Sequence, residues 1–165
     1  MTHWDLFGVS LALTGARKMN APQTRYYEDV QEGMELAPVT KTVTTKQMFL
    51  YSAVTRNPHR IHYDEKFAHS EGLPTVLVQG PLQGAQLSAY VTDWMGSGGF
   101  LKKFAYSNRG MALAGQPLTL RGKVIKKYHQ EGRPAVDLEV WEESAAGDLL
   151  VPATATVFLP ARPTV

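Results

Sequence analysis

The 165-residue chain contains no cysteine, which excludes disulfide bonds and thiolate metal ligands. This absence fits a reducing compartment, and we expect a cytoplasmic protein. No apolar run approaches the roughly 18 residues that a membrane-spanning helix needs, so no membrane partner is expected. The short apolar run at 6–13 follows a segment with Asp5 and no lysine or arginine, the opposite of a secretory signal.

Excess charge of one sign is also missing, because the net charge is only +2 and the 17 basic residues are scattered along the chain. Without a basic stripe, nucleic-acid binding is disfavoured. Hydrophobic residues make up 44% and charged residues 19% of the chain, which are ordinary values for a globular protein. We expect one domain over residues 23–162, preceded by an N-terminal extension at 1–22.

Turn residues divide the chain into a first strand, short helices, one long helix and a final set of strands. Residues 39–44 alternate branched and polar side chains, which predicts a half-buried strand, and a threonine at its end can cap a helix through about Val54. A proline in the first turn and the glycine-rich stretch 96–99 delimit a long helix over residues 81–95. The later strands are predicted at 100–106, 118–127, 135–141 and 151–159. This order predicts an α+β fold in which a curved antiparallel sheet wraps one central helix.

The stretch 51–86 carries the candidate chemistry. Three histidines, His59, His62 and His69, fall within eleven residues there. Further along, Val78-Gln79-Gly80-Pro81 is typical of a strand or loop that turns into a helix. An imidazole upstream of a glycine at a helix N-terminus suggests a general base facing backbone N–H donors. The alternative is that His62 is a loop histidine whose hydrogen bonds are satisfied.

The polar residues near His62 can have structural roles instead of catalytic ones. Asp64 comes directly before a predicted short helix and is expected to be its N-cap residue. The histidines have no further ligands at metal-like spacing, so we predict no metal site.

His62-Tyr63-Asp64-Glu65-Lys66-Phe67-Ala68, with Gly80 following, resembles the MaoC-like dehydratases and (R)-specific enoyl-CoA hydratases, which have the hot-dog fold. In that family the glycine whose N–H serves the oxyanion hole follows the catalytic histidine by eighteen residues, the spacing from His62 to Gly80 here. Tyr27-Glu28-Asp29 with Gly33, and Gly115-Gln116-Pro117-Leu118, extend the resemblance over roughly residues 24–160.

The sequence departs from the common family pattern at Asn57. The family has a catalytic aspartate five residues before the histidine, and this chain has an asparagine there. The Asn…His-Arg-Ile-His-Tyr-Asp version resembles the subgroup of 3-hydroxyacyl-thioester dehydratases and mesaconyl- or itaconyl-type CoA hydratases. Because members of that subgroup often carry two hot-dog halves, a dimer of this chain with itself or with a separate degenerate subunit would restore the second half.

The resemblance implies hydration of an α,β-unsaturated acyl thioester, or dehydration of the 3-hydroxyacyl form, on coenzyme A or acyl carrier protein. It implies no cofactor, since the coenzyme A thioester is itself the substrate. His62 would act as general base and acid, Asn57 would orient the water, and the Gly80 N–H would stabilise the oxyanion.

Four further residues are candidates for substrate binding: His59, Arg60, Arg56 and Pro81. The arginines could pair with a substrate carboxylate or a coenzyme A phosphate, although surface ion pairs are the commoner use of such residues. His59 could orient the water, relay a proton or make a structural hydrogen bond. Pro81 follows the glycine in the first helical turn.

Two other hypotheses remain open. The missing aspartate and the half-length chain favour a non-catalytic subunit that binds acyl thioesters, whereas His62 and Gly80 favour an enzyme. A hot-dog thioesterase is a third hypothesis, but the only carboxylate on the predicted central helix is Asp93, near its far end. We expect a homodimer or higher homo-oligomer, or a heterodimer with a second hot-dog subunit.

Overall fold

The computed structural model describes residues 23–163, so the extension expected at 1–22 lies outside the described residues. Within residues 23–163, five strands and three α-helices form the fold. In chain order they are β1 (Glu35–Thr42), α1 (Thr45–Thr55), α2 (Glu65–Ser70), α3 (Gly80–Met95), β2 (Phe100–Tyr106), β3 (Pro117–Gln130), β4 (Arg133–Glu143) and β5 (Leu149–Phe158). No helix within these described residues is long and apolar enough to span a bilayer.

The five strands form one sheet in the order β1-β3-β4-β5-β2, and every pairing is antiparallel. The register shifts once within each pair, as between Leu101 and Lys103 of β2. Such bulges bend a strand and increase its twist. They therefore help the sheet to curve around α3, which packs against β2, β4 and β5.

Helix α3 buries one face against the sheet because its apolar residues recur at helical spacing. Leu87, Tyr90, Val91 and Met95 lie on this buried face. They share one apolar core with alternate residues of the strands, including Leu120, Val124, Leu138, Val140, Val151 and Val157. Burial raises the pKa of Tyr90 to about 12, and its hydroxyl donates to the Ala37 carbonyl oxygen at 2.9 Å.

A glycine allows the end of β2 to approach α3 closely. A Cβ atom at Gly84 would lie 2.4 Å from Cζ of Tyr106, a distance that real Cβ atoms do not adopt. The Tyr106 ring therefore occupies the place of a side chain on α3. A larger residue at position 84 would push the edge strand away from the helix.

The structure confirms the α+β prediction and corrects its boundaries. The central helix begins at Gly80 and not at Pro81, because Gln79 is the extended residue that precedes it. The first strand begins at Glu35 and not at 39, since residues 35–38 pair with β3 through a bulge that the alternation does not reveal. The threonine cap of α1 is Thr44, which exchanges hydrogen bonds with Gln47 in a capping box.

Candidate active site

His62 lies in a single 3₁₀ turn, Arg60–His62, and its side chain is buried. Its Nδ1 atom is 2.8 Å from the Leu77 carbonyl oxygen. A carbonyl can only accept a hydrogen bond, so Nδ1 carries the proton and Nε2 has the free lone pair. The Leu77 N–H also donates to the Ile61 carbonyl oxygen at 3.0 Å. These bonds hold the imidazole in the tautomer that a general base requires.

The surroundings of His62 favour its neutral form. Burial lowers the pKa of His62, the hydrogen bond with Leu77 opposes this shift, and the nearby charge of His59 lowers the pKa further. The two imidazole centroids are 5.9 Å apart. A neutral imidazole can take a proton from water near neutral pH.

His59 is exposed and has a structural role of its own. Its Nδ1 accepts a hydrogen bond from the Ile61 N–H at 3.4 Å and so caps the 3₁₀ turn that contains His62. The structural hydrogen bond, one of the alternatives considered for His59, is therefore present, and the His59 ring is also close to that of His62.

Asn57 follows α1 at a sharp turn of the chain. Its Oδ1 accepts from the His59 N–H at 3.2 Å, and its amide Nδ2, which can donate, has no partner within residues 23–163. The residue before it, Arg56, is left-handed with φ 53° and ψ 38°. A cavity of about 340 Å³ opens beside both residues, and its lining is completed by Phe49, Ser52, Ala53, Pro58 and Tyr63.

Gly80 is the first residue of α3, and its N–H makes no hydrogen bond within residues 23–163. Pro81 is exposed in the first turn and has no N–H group. The free N–H of Gly80 therefore points out of the positive end of the helix, where it can bind an oxygen that gains negative charge.

His62 and Gly80 are connected through Leu77. The His62 ring binds the carbonyl of Leu77, which is three residues before Gly80. Three peptide units span at most about 11 Å. The ring is thus fixed to the segment that leads into α3, although the cavity beside Asn57 is lined by neither His62 nor Gly80.

Gln79, which the sequence analysis did not select, links Gly80 to Asn57. Its fully buried Nε2 donates to the Met48 carbonyl oxygen at 2.8 Å and to Ser52 Oγ at 2.9 Å. The Asn57 N–H in turn donates to the Ser52 carbonyl oxygen at 2.9 Å. One side chain therefore fixes the start of α3 relative to the end of α1.

The two candidate arginines differ in their contacts. Arg60 Nη2 is 2.6 Å from Asp64 Oδ2, and its guanidinium lies over the Phe67 ring. Asp64 also caps α2 by accepting from the Phe67 N–H, as predicted, and its hydrogen bond with Arg60 lowers the pKa of this carboxyl. Arg56 makes no ion pair with another described residue and faces the cavity. Arg60 thus makes an ion pair at the surface, whereas Arg56 lines the cavity and has no ion pair among the described residues; their roles in substrate binding stay predictions.

The side chains that typically bind metals do not cluster in the described region. Within residues 23–163, no three histidine, aspartate or glutamate side chains are close enough to hold one ion. The absence of a metal and of a cofactor stays a prediction.

The sequence is similar to a family of known enzymes and to a curated protein. The profile of the family described as hydroxyacyl-thioester dehydratase type 2 matches residues 12–114. Mesaconyl-C(4)-CoA hydratase from Chloroflexus aurantiacus is 48% identical over 56 residues, which cover 30% of this chain and 20% of that protein. The match therefore spans only about a fifth of the length of that curated relative.

Solved structures share the fold at low sequence identity. R-hydratase PhaJ1 from Pseudomonas aeruginosa superposes with a TM-score of 0.75 and 21% identity, covering 83% of this chain and 86% of that chain. A chain of the ChsH1-ChsH2 complex from Mycobacterium tuberculosis superposes with a TM-score of 0.69 and 20% identity, covering 79% and 98%. These similarities confirm the predicted hot-dog fold.

Proposed function

The chain belongs to the hydroxyacyl-thioester dehydratase type 2 family, and on this premise we propose that it adds water to an α,β-unsaturated acyl thioester or removes it from the 3-hydroxyacyl thioester. The observation that carries the proposal is the buried His62 ring, whose Nδ1 is bound to Leu77 in the segment that leads into α3. The family fits the predicted subgroup of 3-hydroxyacyl-thioester dehydratases and mesaconyl-CoA hydratases.

In the hydration direction, His62 moves one proton in two steps. The amide Nδ2 of Asn57 donates to a water oxygen, and His62 Nε2 takes a proton from this water as its oxygen attacks the β-carbon. The electron pair of the double bond moves to the thioester oxygen, where the Gly80 N–H and the positive end of α3 stabilise the charge. The His62 imidazolium then returns the proton to the α-carbon, which completes the addition of one water.

The base and the oxyanion donor are each expected to contribute a measurable factor to the reaction rate. A positioned base contributes on the order of 10² to 10⁴ in rate, and one oxyanion donor about 10² to 10³. Asn57 cannot exchange a proton as a carboxylate would, so His62 is proposed to act alone. His59, which caps the turn that holds His62, is proposed to position the base.

We propose that the substrate is carried on coenzyme A and that two copies of the chain form the working unit. Strand β2 is an edge strand that pairs only with β5 among the described residues. It exposes Phe100 (56% accessible) and Tyr106 (39% accessible). An open edge with exposed apolar side chains is suited to pairing with another chain. The cytoplasmic location stays a prediction.

A non-catalytic acyl-thioester-binding subunit is the second candidate function. It is favoured by the amide at Asn57 in place of a carboxylate, and by the cavity there, which neither His62 nor Gly80 lines. Under this alternative, the chain would need a catalytic partner with its own base.

The test is hydration of crotonyl-CoA, followed by loss of the enoyl-thioester absorbance. His62→Ala should lower kcat at least 100-fold, because it removes the base. His69→Ala is the matched control, since His69 is exposed and its Nε2 is 3.1 Å from the Pro74 carbonyl oxygen. Circular dichroism and thermal melting verify that both variants are folded. Full activity in folded His62→Ala would overturn the proposed mechanism.

The oligomeric state separates the two candidate functions. Analytical ultracentrifugation of the purified chain at micromolar concentration should give the mass of a dimer that turns over crotonyl-CoA. A monomer that binds acyl-CoA, and that shows turnover only after a second hot-dog subunit is added, would support the non-catalytic alternative.

A further inference from the structure

Glu142, near the end of β4, is a fully buried carboxyl group that the proposed mechanism does not use. Its Oε1 accepts a hydrogen bond from Gln83 Nε2 at 2.6 Å, and its Oε2 has no partner among the described residues. Burial raises the pKa of Glu142, and the hydrogen bond from Gln83 opposes this shift. A buried carboxyl group is costly to keep in a core, so a role for it is expected.

The hydrogen bond to Glu142 determines how two amide groups are turned. Gln83 lies on the buried face of α3, and its Nε2 donates to the carboxyl group of Glu142. The Oε1 atom of Gln83 therefore faces away from Glu142. Oε1 then accepts from Asn108 Nδ2 at 3.2 Å. Because an amide oxygen cannot donate, this contact forces Asn108 to present its nitrogen. Glu142 therefore sets the orientation of the Asn108 side chain.

Asn108 lies directly against Gly80. A Cβ atom at Gly80 would be 2.5 Å from Asn108 Oδ1 and 3.1 Å from Nδ2. The amide of Asn108 thus fills the space beside the first residue of α3. Asn108 is exposed, and its only side-chain hydrogen bond within residues 23–163 is the one to Gln83. Oδ1 is the Asn108 atom nearest to a Cβ position at Gly80, and Nδ2 keeps one N–H beyond its bond to Gln83, so a donor lies beside the first turn of α3.

We propose that Asn108 is a further substrate-contacting residue, whose second Nδ2–H donates to the thioester oxygen beside the Gly80 N–H, and that Gln83 and Glu142 are positioning residues that hold it there. The proposal rests on the proposed function of the chain. A thioester oxygen that becomes an oxyanion accepts more than one hydrogen bond, and donors fixed before the reaction stabilise it most. Asn108, in the loop after β2, would be such a fixed donor, because Gln83 on α3 and Glu142 on β4 hold its side chain in place.

The decisive variant is Asn108→Asp, which keeps the shape of the side chain but replaces its donor with an acceptor and a negative charge. We expect Asn108→Asp and Asn108→Ala to lower kcat for crotonyl-CoA by about 10- to 100-fold, with KM changed less than 3-fold. Ser107→Ala, in the same exposed loop, is the matched control and should keep wild-type kinetics. Wild-type kcat in Asn108→Asp would overturn the proposal.

Variants of Glu142 test the positioning role. Glu142→Gln retains an oxygen that accepts from Gln83 and should keep kcat within about 3-fold, whereas Glu142→Leu should lower kcat as Asn108→Ala does. The Asn108→Ala/Glu142→Leu double variant should be no slower than Asn108→Ala alone, because both changes remove the same donor. Additive losses in kcat would overturn the positioning role.

Different results would overturn the proposed function and the proposed role of Asn108. An active His62→Ala variant would overturn the proposed function whatever Asn108 does. An inactive His62→Ala variant beside a fully active Asn108→Asp variant would overturn only the role of Asn108. Because Asn108 and Ser107 are both exposed, these variants are expected to fold even if Glu142→Leu does not.

Discussion

Replacing Gln79 by methionine tests whether one buried amide fixes the site geometry. Methionine has a similar length but cannot donate, so the bonds to the Met48 carbonyl oxygen at 2.8 Å and to Ser52 Oγ at 2.9 Å are lost. Each such bond contributes about 0.5 to 1.5 kcal/mol net. The same substitution removes the buried Oε1 of Gln79, which has no partner in the described residues and costs roughly 1 to 3 kcal/mol.

These opposing terms nearly cancel, so we expect Gln79→Met to change the free energy of unfolding by less than about 2 kcal/mol. Catalysis should be more sensitive, because the link between Gly80 and Asn57 is broken while the chain remains folded. We expect kcat to fall about 10-fold or more, since small misplacements of reacting groups have large effects on rate. Urea unfolding and crotonyl-CoA kinetics measure the two quantities on one preparation.

Gln86 provides the matched control on the same helix. Its buried Oε1 also lacks a partner among the described residues, and its amide makes no hydrogen bond there. Gln86→Met should therefore be neutral or slightly stabilising, with unchanged kcat. The role of Gln79 in fixing the site would be refuted if Gln79→Met kept wild-type kcat, or if Gln79→Met and Gln86→Met lost activity equally.

The remaining predictions concern pH and the two arginines. Because burial lowers the pKa of His62 below its ordinary value of 6.5, the acid limb of kcat/KM should lie below pH 6.5. Stability should rise with pH between the lowered pKa and 6.5, where only the unfolded state binds the proton, and His62→Gln should remove this slope. Arg56→Gly should raise KM for coenzyme A thioesters several-fold and stabilise the fold by roughly 1 kcal/mol, because glycine suits the left-handed backbone at φ 53°. Arg60→Ala should change KM less than twofold, since it removes a surface ion pair and a contact with the Phe67 ring but nothing that lines the cavity. Equal effects of the two changes on KM would contradict this expectation.

Local signals in the sequence predicted the features that depend on neighbouring residues. The caps at Thr44 and Asp64 and the helix after Gly80 are set by side chains a few positions apart. The spacing from His62 to Gly80 indicated the family through its resemblance to the interval found there, and the hydrogen bond of His62 to Leu77 lies within that interval.

The contacts that hold the site were not predictable in this way. Gln83 meets Glu142 across 59 positions and Asn108 across 25, so only the folded sheet and helix bring the three together. One signal was present in the sequence: Glu142 continues the buried alternation of Val136, Leu138 and Val140 on β4. A charged residue in phase with a core row indicates a partner within the core.

The close approach of β2 to α3 has a consequence for the proposed dimer. Tyr106 rests on Gly84 and Asn108 on Gly80 at one end of the strand, while the opposite edge of β2 has no neighbour among the described residues. A subunit that docks along this edge would contact β2, the same strand whose end touches the first turns of α3. Docking and turnover would then be mechanically linked, and a change in one would be felt in the other without any contact between partner and substrate.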